Sequence, residues 1–365
     1  MTTPRITWDL GTAYDLFISL HVLHEPVDFG LRGVWAAGMR SRLPPADRDF
    51  LEQVQGSVIW GAPISWVYTL PPPKDAATAL RELARLEPAQ RLPALMFAAQ
   101  DRAGEQAVLH RVMQRGAYDE GDIEALYHAL HEVRGAEFAL SRKKVASVLE
   151  WWTRPEEFGE RYLQALTTYV DVFFVEEERR IYPALQDAYR EAQALAQKLD
   201  APELLEELSQ GVSIERALRM NELIFAPSFW SAPLMFISYL NGERILILFG
   251  GRPSDVSLIP GEVVPDALLR ALKALSDPTL LKILRYLATG SLTPTQLAHR
   301  LRLRAQTVVH HLKTLRVAGL VQVKIAEGKE RSYTMRHDSV EATWLALQRF
   351  IGEQVPVNAD PVEQE

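Results

Sequence analysis

The 365-residue sequence predicts a mainly α protein: a helical N-terminal domain that ends in a small antiparallel sheet, and a C-terminal unit of three short helices followed by a β-hairpin. Three observations carry this reading. Apolar residues recur at helical spacing, with caps and breaks, through the first two hundred positions. Two apolar runs then flank Asn241–Gly242, the strongest short-range hairpin signal. Lastly, the stretch 276–336 shows capped helical periodicity three times and then switches to strand alternation. The expected limits are 1–260 for the helical domain, 261–353 for the C-terminal unit and 354–365 for a flexible acidic tail.

Taken in order, Arg5 to Trp8 reads as a short strand, and Asp9 or Thr12 caps a helix carrying Tyr14, Phe17, Ile18, His21 and Val22 that stops before Pro26. Further helices are expected at 29–43, 45–54, 74–86, 90–99, 104–114, 122–133 and 138–152. A long one is expected at 155–199, kinked at Pro183. Trp35, Trp60 and Trp66 are expected in the core, because Trp carries a large buried area. A short helix at 203–210 precedes a strand-like run at 215–225 and the hairpin at 233–249.

With 47% hydrophobic residues the chain can bury sizeable cores. It has no cysteine, which excludes disulfides and thiol chemistry and fits a cytoplasmic protein. The apolar stretch from Leu16 to Leu23 lacks a basic leader, and no apolar run approaches membrane-spanning length. No GxSxG, GxGxxG or Walker loop is present, so neither an enzyme nor a cofactor is expected. A repeated HxxHE places His21 with His24, and His128 with His131, on shared helical faces. The spacing is not that of HExxH, and His21 and His24 are interleaved with apolar residues. These four are therefore read as structural histidines, the only candidates for a metal site that is not expected. The run Glu176–Glu178, followed by Arg179 and Arg180, reads as a solvated helix face or a subunit contact. Trp151–Trp152 and Phe173–Phe174 read as core.

In the C-terminal stretch Asp277 is an N-cap with Pro278 at the first helical position. Leu280, Leu281, Leu284 and Leu287 form its apolar stripe, and Gly290 ends it. Thr293 caps a second helix whose inward residues are Leu297, Ala298 and Leu301. After a tight turn at 302–304, a third helix, 305–318, buries Val308, Leu312 and Leu315, and Gly319 stops it. Two helices joined by such a turn are a helix-turn-helix. The hairpin that follows, turning at Glu327–Gly328–Lys329, is a wing. Between Asp266 and Glu353 there are 14 Lys/Arg against 7 Asp/Glu, a net of +7 in a chain of total −7. Three acids in the tail leave −11 for the first 265 residues. This asymmetry fits a DNA-contacting module joined to an acidic partner domain.

The sequence SDPTLLKILRYLATG, then LTPTQLAHRL, then TVVHHLKTLRVAGLV and a basic wing resemble the ArsR-type winged helix-turn-helix transcriptional regulators. The resemblance implies a recognition helix beginning near Arg304. Gln306, Thr307 and His310 would face the major groove and Lys313 a phosphate, while Lys324, Lys329 and Arg331 would reach backbone or minor groove. It also implies a homodimer paired through helices at 265–275 and 339–351, with Leu268, Leu269, Leu272, Trp344, Leu345 and Leu347 as the apolar face. Transcription regulation, more often as a repressor, would follow, with a double-stranded DNA operator as partner. Relatives that sense metals use Cys pairs, or Asp, His and Glu on the last helix. Here His337, Asp338 and Glu341 lack a second His, so no such site is implied. For the N-terminal domain two readings stay open: a sensor for an apolar small-molecule effector, or a dimerisation or protein-docking module.

Overall fold

Helix α1 (Ala13–His24) explains the shape of the N-terminal unit, because ten of its twelve residues are buried. A helix apolar on all sides must be enclosed by others. It follows strand β1 (Arg5–Trp8) and a turn at Asp9–Thr12. The computed structural model describes residues 4–56, 62–100, 102–134, 141–262, 264–326 and 330–352. Its contacts define two units, Met1–Pro253 with Lys324–Arg331, and Ser254–Val323 with Ser332–Glu365.

The first unit continues with α2 (Gly33–Arg40), α3 (Pro45–Gln55), α4 (Ile64–Thr69), α5 (Ala76–Arg85), α6 (Pro88–Phe97), α7 (Ala103–Arg115), α8 (Glu120–Arg134), α9 (Arg142–Thr153), α10 (Pro155–Tyr169), α11 (Val175–Leu195) and α12 (Ala201–Leu208). Local sequence sets the starts. Asp75 accepts from Thr78 N at 2.7 Å, Asp200 and Glu203 form a capping box, and Pro occupies the first turn of α3, α6, α10 and α12. Where α10 crosses α6 the backbones nearly touch. A Cβ at Gly159 would lie 2.0 Å from Pro88 O, so no larger residue fits.

Several expectations need correction. The helix expected at 29–43 is a 3₁₀ turn, Pro26–Phe29, followed by α2, because Gly30 turns left-handed at φ +68° and breaks the path. The rod expected at 155–199 carries a π turn, Val170–Phe174, between α10 and α11 and ends at Leu195, with Pro183 inside α11. The run at 215–225 is not one strand: β2 (Val212–Ile214) ends just before it, a 3₁₀ turn occupies Ala217–Arg219, and β3 (Glu222–Ser228) begins only at its end. Trp66 is buried and Trp35 half-buried, while Trp60 lies outside the described residues. Trp151, Trp152 and Phe174 are core, as read, and Phe173 is half-buried.

The sheet is small, but only one of its pairings is antiparallel. Strands β4 (Phe236–Leu240) and β5 (Arg244–Gly250) make the expected hairpin, with Phe236 opposite Leu248 and Leu240 opposite Arg244. Its loop is three residues, with Gly242 and Glu243 both left-handed. Strand β3 runs parallel to β5 (Leu223 beside Ile245), and β1 runs parallel to β3 (Ile6 beside Leu223), giving the order β1-β3-β5-β4. All seven residues of β3 are buried, as are the inner five of β5. Strands covered on both faces read as unbroken apolar runs such as Ile245–Phe249.

The second unit holds α13 (Asp266–Leu275), α14 (Pro278–Leu287), α15 (Pro294–Leu301), α16 (Ala305–Val317) and α17 (His337–Gly352). The wing is β6 (Val321–Ile325) and β7 (Arg331–Met335), in a sheet of order β2-β6-β7, and its outer end belongs to the first unit. Leu292 and Tyr333 exchange backbone hydrogen bonds at 2.9 Å, adding a bridge to β7. No helix among the described residues is long and apolar enough to cross a membrane. The segment 354–365 lies outside them.

Candidate nucleic-acid interface

Three helix starts and one turn build the interface. Asp277 accepts from Thr279 N (2.7 Å) and Leu280 N (3.0 Å), and these backbone bonds hold its carboxyl below the usual range. In α14 the buried residues are Leu280, Ile283, Leu284 and Leu287, whereas Leu281 is 45% exposed. Three of the four expected stripe residues are thus buried, and Ile283 takes the place expected for Leu281. The helix stops at Leu287, with Gly290 beyond its end.

Thr293 and Gln296 cap α15 reciprocally, at 3.3 Å and 2.9 Å. Leu297 and Ala298 are buried and Leu301 is half-buried. The chain then reverses through Arg302, which takes a left-handed conformation (φ +55°) without being glycine. Leu303 N donates to Ala298 O at 3.0 Å and closes the turn.

Helix α16 buries Val308, Leu312 and Leu315 completely. That fixes its opposite side outward, where Arg304, Gln306, Thr307, His310 and Lys313 are all exposed. Gln306, His310 and Lys313 stand at i, i+4 and i+7, one above another on a single face. His311 is half-buried. Sequence reasoning missed Arg316, which is buried on the inner side of α16 and pushed down to about 10 by that burial, with Arg336 adding to the effect. Its spacing of four from Leu312 was the available signal.

In the wing, Val321 and Val323 are buried, and Lys324 and Arg331 are exposed. Lys324 Nζ lies 3.0 Å from the Glu215 carboxylate, within the first unit. Lys329 lies outside the described residues.

The residues expected at a dimer contact divide. Leu268 is buried inside the protomer, so it has little surface left to offer. Leu269, Leu272 and Leu347 are half-buried. Trp344 (59%) and Leu345 (48%) are exposed, and Ile351, one heptad beyond Trp344, is exposed at 72%.

The histidine pairs lie on α1 and α8. His21 sits edge-on to Phe29 (5.7 Å) and Phe236 (5.9 Å). His24 Nδ1 meets Leu20 O at 2.7 Å, and burial pulls this imidazole down to about 4. His128 pairs with Glu124 at 3.0 Å, and His131 leans on Tyr127. The side chain of Glu132 lies outside the described residues. Among the described residues no three His, Asp or Glu side chains are grouped to hold one metal ion.

The acidic run on α11 needs correction. Glu176 is exposed, but Glu177 is 4% exposed and accepts from Trp230 Nε1 at 2.8 Å and from Arg180. Glu178 accepts from Ala76 N (2.9 Å) and Thr12. These carboxylates join elements of the unit instead of facing solvent. Asp15, fully buried, accepts from Ser228 Oγ (2.7 Å), Phe229 N (3.0 Å) and Trp230 N (2.8 Å), and burial raises it to about 6.

A three-helix unit with an exposed polar and basic third helix, followed by a hairpin, defines a winged helix-turn-helix DNA-binding protein. The family model described as "Bacterial regulatory protein, arsR family" matches residues 277–323. The chain is similar to the HTH-type transcriptional regulator CmtR of Mycobacterium tuberculosis and of Mycobacterium bovis, 38% identical over 96 residues. That span is 26% of this chain and 75% of CmtR. The chain belongs to the arsR family of bacterial regulatory proteins, and it is a DNA-binding transcriptional regulator with an N-terminal extension.

Proposed function

We propose that the chain works in the cytoplasm as a homodimeric repressor that binds a two-fold symmetric operator. Residues 261–353 would bind DNA and residues 1–260 would sense an apolar small molecule or a partner. The observation that carries the DNA part is α16, whose buried Val308, Leu312 and Leu315 aim Gln306, His310 and Lys313 outward together. Gln306 and His310 would meet base edges in the major groove, which discriminate sequence. Lys313, Arg304 and the wing cations would meet phosphate, which positions the protein. The exposed Trp344, Leu345 and Ile351 of α17 support pairing of two copies.

For the N-terminal domain, the supporting consideration is bulk and charge: −11 over 265 residues is more than a DNA anchor needs. One groove in this unit, about 480 Å³, runs between the end of α3 and helices α9 and α10. It sets Trp151 among Lys144, Glu150, Arg154, Glu157 and Arg161.

The test is selection of duplexes from a random-sequence pool by the full-length chain, then binding of the enriched duplex with apolar and aromatic compounds or cell extract added. An enriched inverted repeat whose affinity shifts with one addition is the expected result. No enrichment overturns sequence-specific binding. Enrichment with no response to any addition makes residues 1–260 a dimerisation or docking module.

A further inference from the structure

The wing's outer end is not an open hairpin edge. Glu215 directly follows β2, and its backbone N–H donates to Ile325 O at 3.2 Å. The same residue's carboxylate reaches Lys324 Nζ at 3.0 Å. Lys324–Arg331 shares the contact unit of Met1–Pro253, so this backbone hydrogen bond and ion pair lie within one unit. An edge strand ordinarily presents unpaired donors and acceptors, and here the Ile325 carbonyl is taken by the Glu215 N–H.

We propose that β2 and Glu215 form a built-in competitor for the DNA backbone: the Glu215 carboxylate and a phosphate seek the same Lys324 ammonium, so the wing engages DNA fully only when Glu215 lets go. This rests on the reading of Lys324 as a phosphate contact. The ammonium faces the carboxylate at 3.0 Å, the same charge-assisted contact a phosphate oxygen would offer it. The carboxylate would also stand beside the phosphates and repel them. Both side chains keep solvent access, 59% for Lys324 and 35% for Glu215, so the pair is weak and exchangeable. It biases the wing without locking it, which suits a regulatory setting. Anything that moves the α12–β2 segment would act on DNA affinity through this contact.

The experiment uses the full-length chain and a fluorescent mixed-sequence duplex, with binding followed by anisotropy across a series of NaCl concentrations. Glu215→Gln is expected to bind about three- to tenfold tighter at low salt and to steepen the log–log salt slope by about 0.9 per subunit, as one more phosphate contact would. Lys324→Gln placed in the same chain should abolish that gain. Glu215→Asp, one methylene shorter, keeps the charge but loses the reach and should share part of the gain. Glu207→Gln, an exposed carboxylate on α12, should change nothing. The proposal is overturned if Glu215→Gln leaves affinity and slope at wild-type values, or if its gain survives Lys324→Gln. Should Lys324→Gln weaken binding equally with and without Glu215, Lys324 is a DNA contact and the competition alone fails. Should it have no effect even when Glu215 is neutralised, Lys324 is not a DNA contact and the proposal falls with that reading.

Discussion

Two residues on α16 separate positioning from reading. Lys313→Ala should weaken binding to all duplexes about equally and lower the salt slope by about one unit per subunit, measured by titration in increasing salt. Gln306→Ala should erode the preference for the selected site over a scrambled one, by about 1–3 kcal/mol if the contact is bidentate. Equal loss of specificity in both variants would mean a different docking of the helix. Buried Asp15 and half-buried His24 in the N-terminal unit predict an acid-range signature. Asp15 keeps its proton in the folded state up to about pH 6 and releases it near 3.8 when unfolded, so its contribution to stability is present at low pH and is lost as pH rises through that window. His24 runs the other way. It loses its proton at about 4 when folded and near 6.5 when unfolded, so stability rises with pH between them. The two offset each other in the wild type. In Asp15→Asn the rise from His24 is unmasked, and urea unfolding should show the variant gaining about 2 kcal/mol on the wild type between pH 4 and 6. Parallel curves would contradict it. The outward side of α16 was legible because helical period alone sends one face inward and the other out. The joints made by Glu177 and Glu178 were not, since an acidic run beside two arginines looks like any solvated face. Asp15 carried a usable signal, a lone charge beside the apolar run Leu16–Ile18.

At the scale of elements, caps and glycines carried most of the boundaries. Asp277, Thr293 and Gly319 act where the sequence places them, because each satisfies or terminates a specific backbone group. Register within a helix was less secure. In α14 four apolar residues in six positions allow two stripes, and only packing selects the one that contains Ile283. Ile283→Ala should therefore cost about 2–5 kcal/mol, and Leu281→Ala about 0.5 kcal/mol or less, in thermal or urea unfolding. Similar losses would mean that the helix is rotated. The parallel pairing of β1, β3 and β5 was hidden by sequence distance: Ile6 meets Leu223 across more than two hundred residues. The unbroken apolar run at 245–249 hinted at burial on both faces, but a local pattern names no partner strand.

For the whole molecule, the exposed apolar side of α17 is where assembly should be decided. Trp344→Ala combined with Leu345→Ala should shift sedimentation toward monomer and lower operator affinity without lowering the unfolding temperature appreciably. Leu268→Ala, a buried position, should instead lower that temperature. A wild-type chain that sediments as a monomer at micromolar concentration while keeping tight operator binding would defeat the dimer.

The proposed function requires two copies of α16 to read one operator together. Hydroxyl-radical footprinting of the full-length chain on its selected duplex measures this most directly. The predicted result is two protected patches on one face of the duplex, about one helical turn apart, both lost in Gln306→Ala/Lys313→Ala. A single asymmetric patch, or two patches that persist in the double variant, would contradict it.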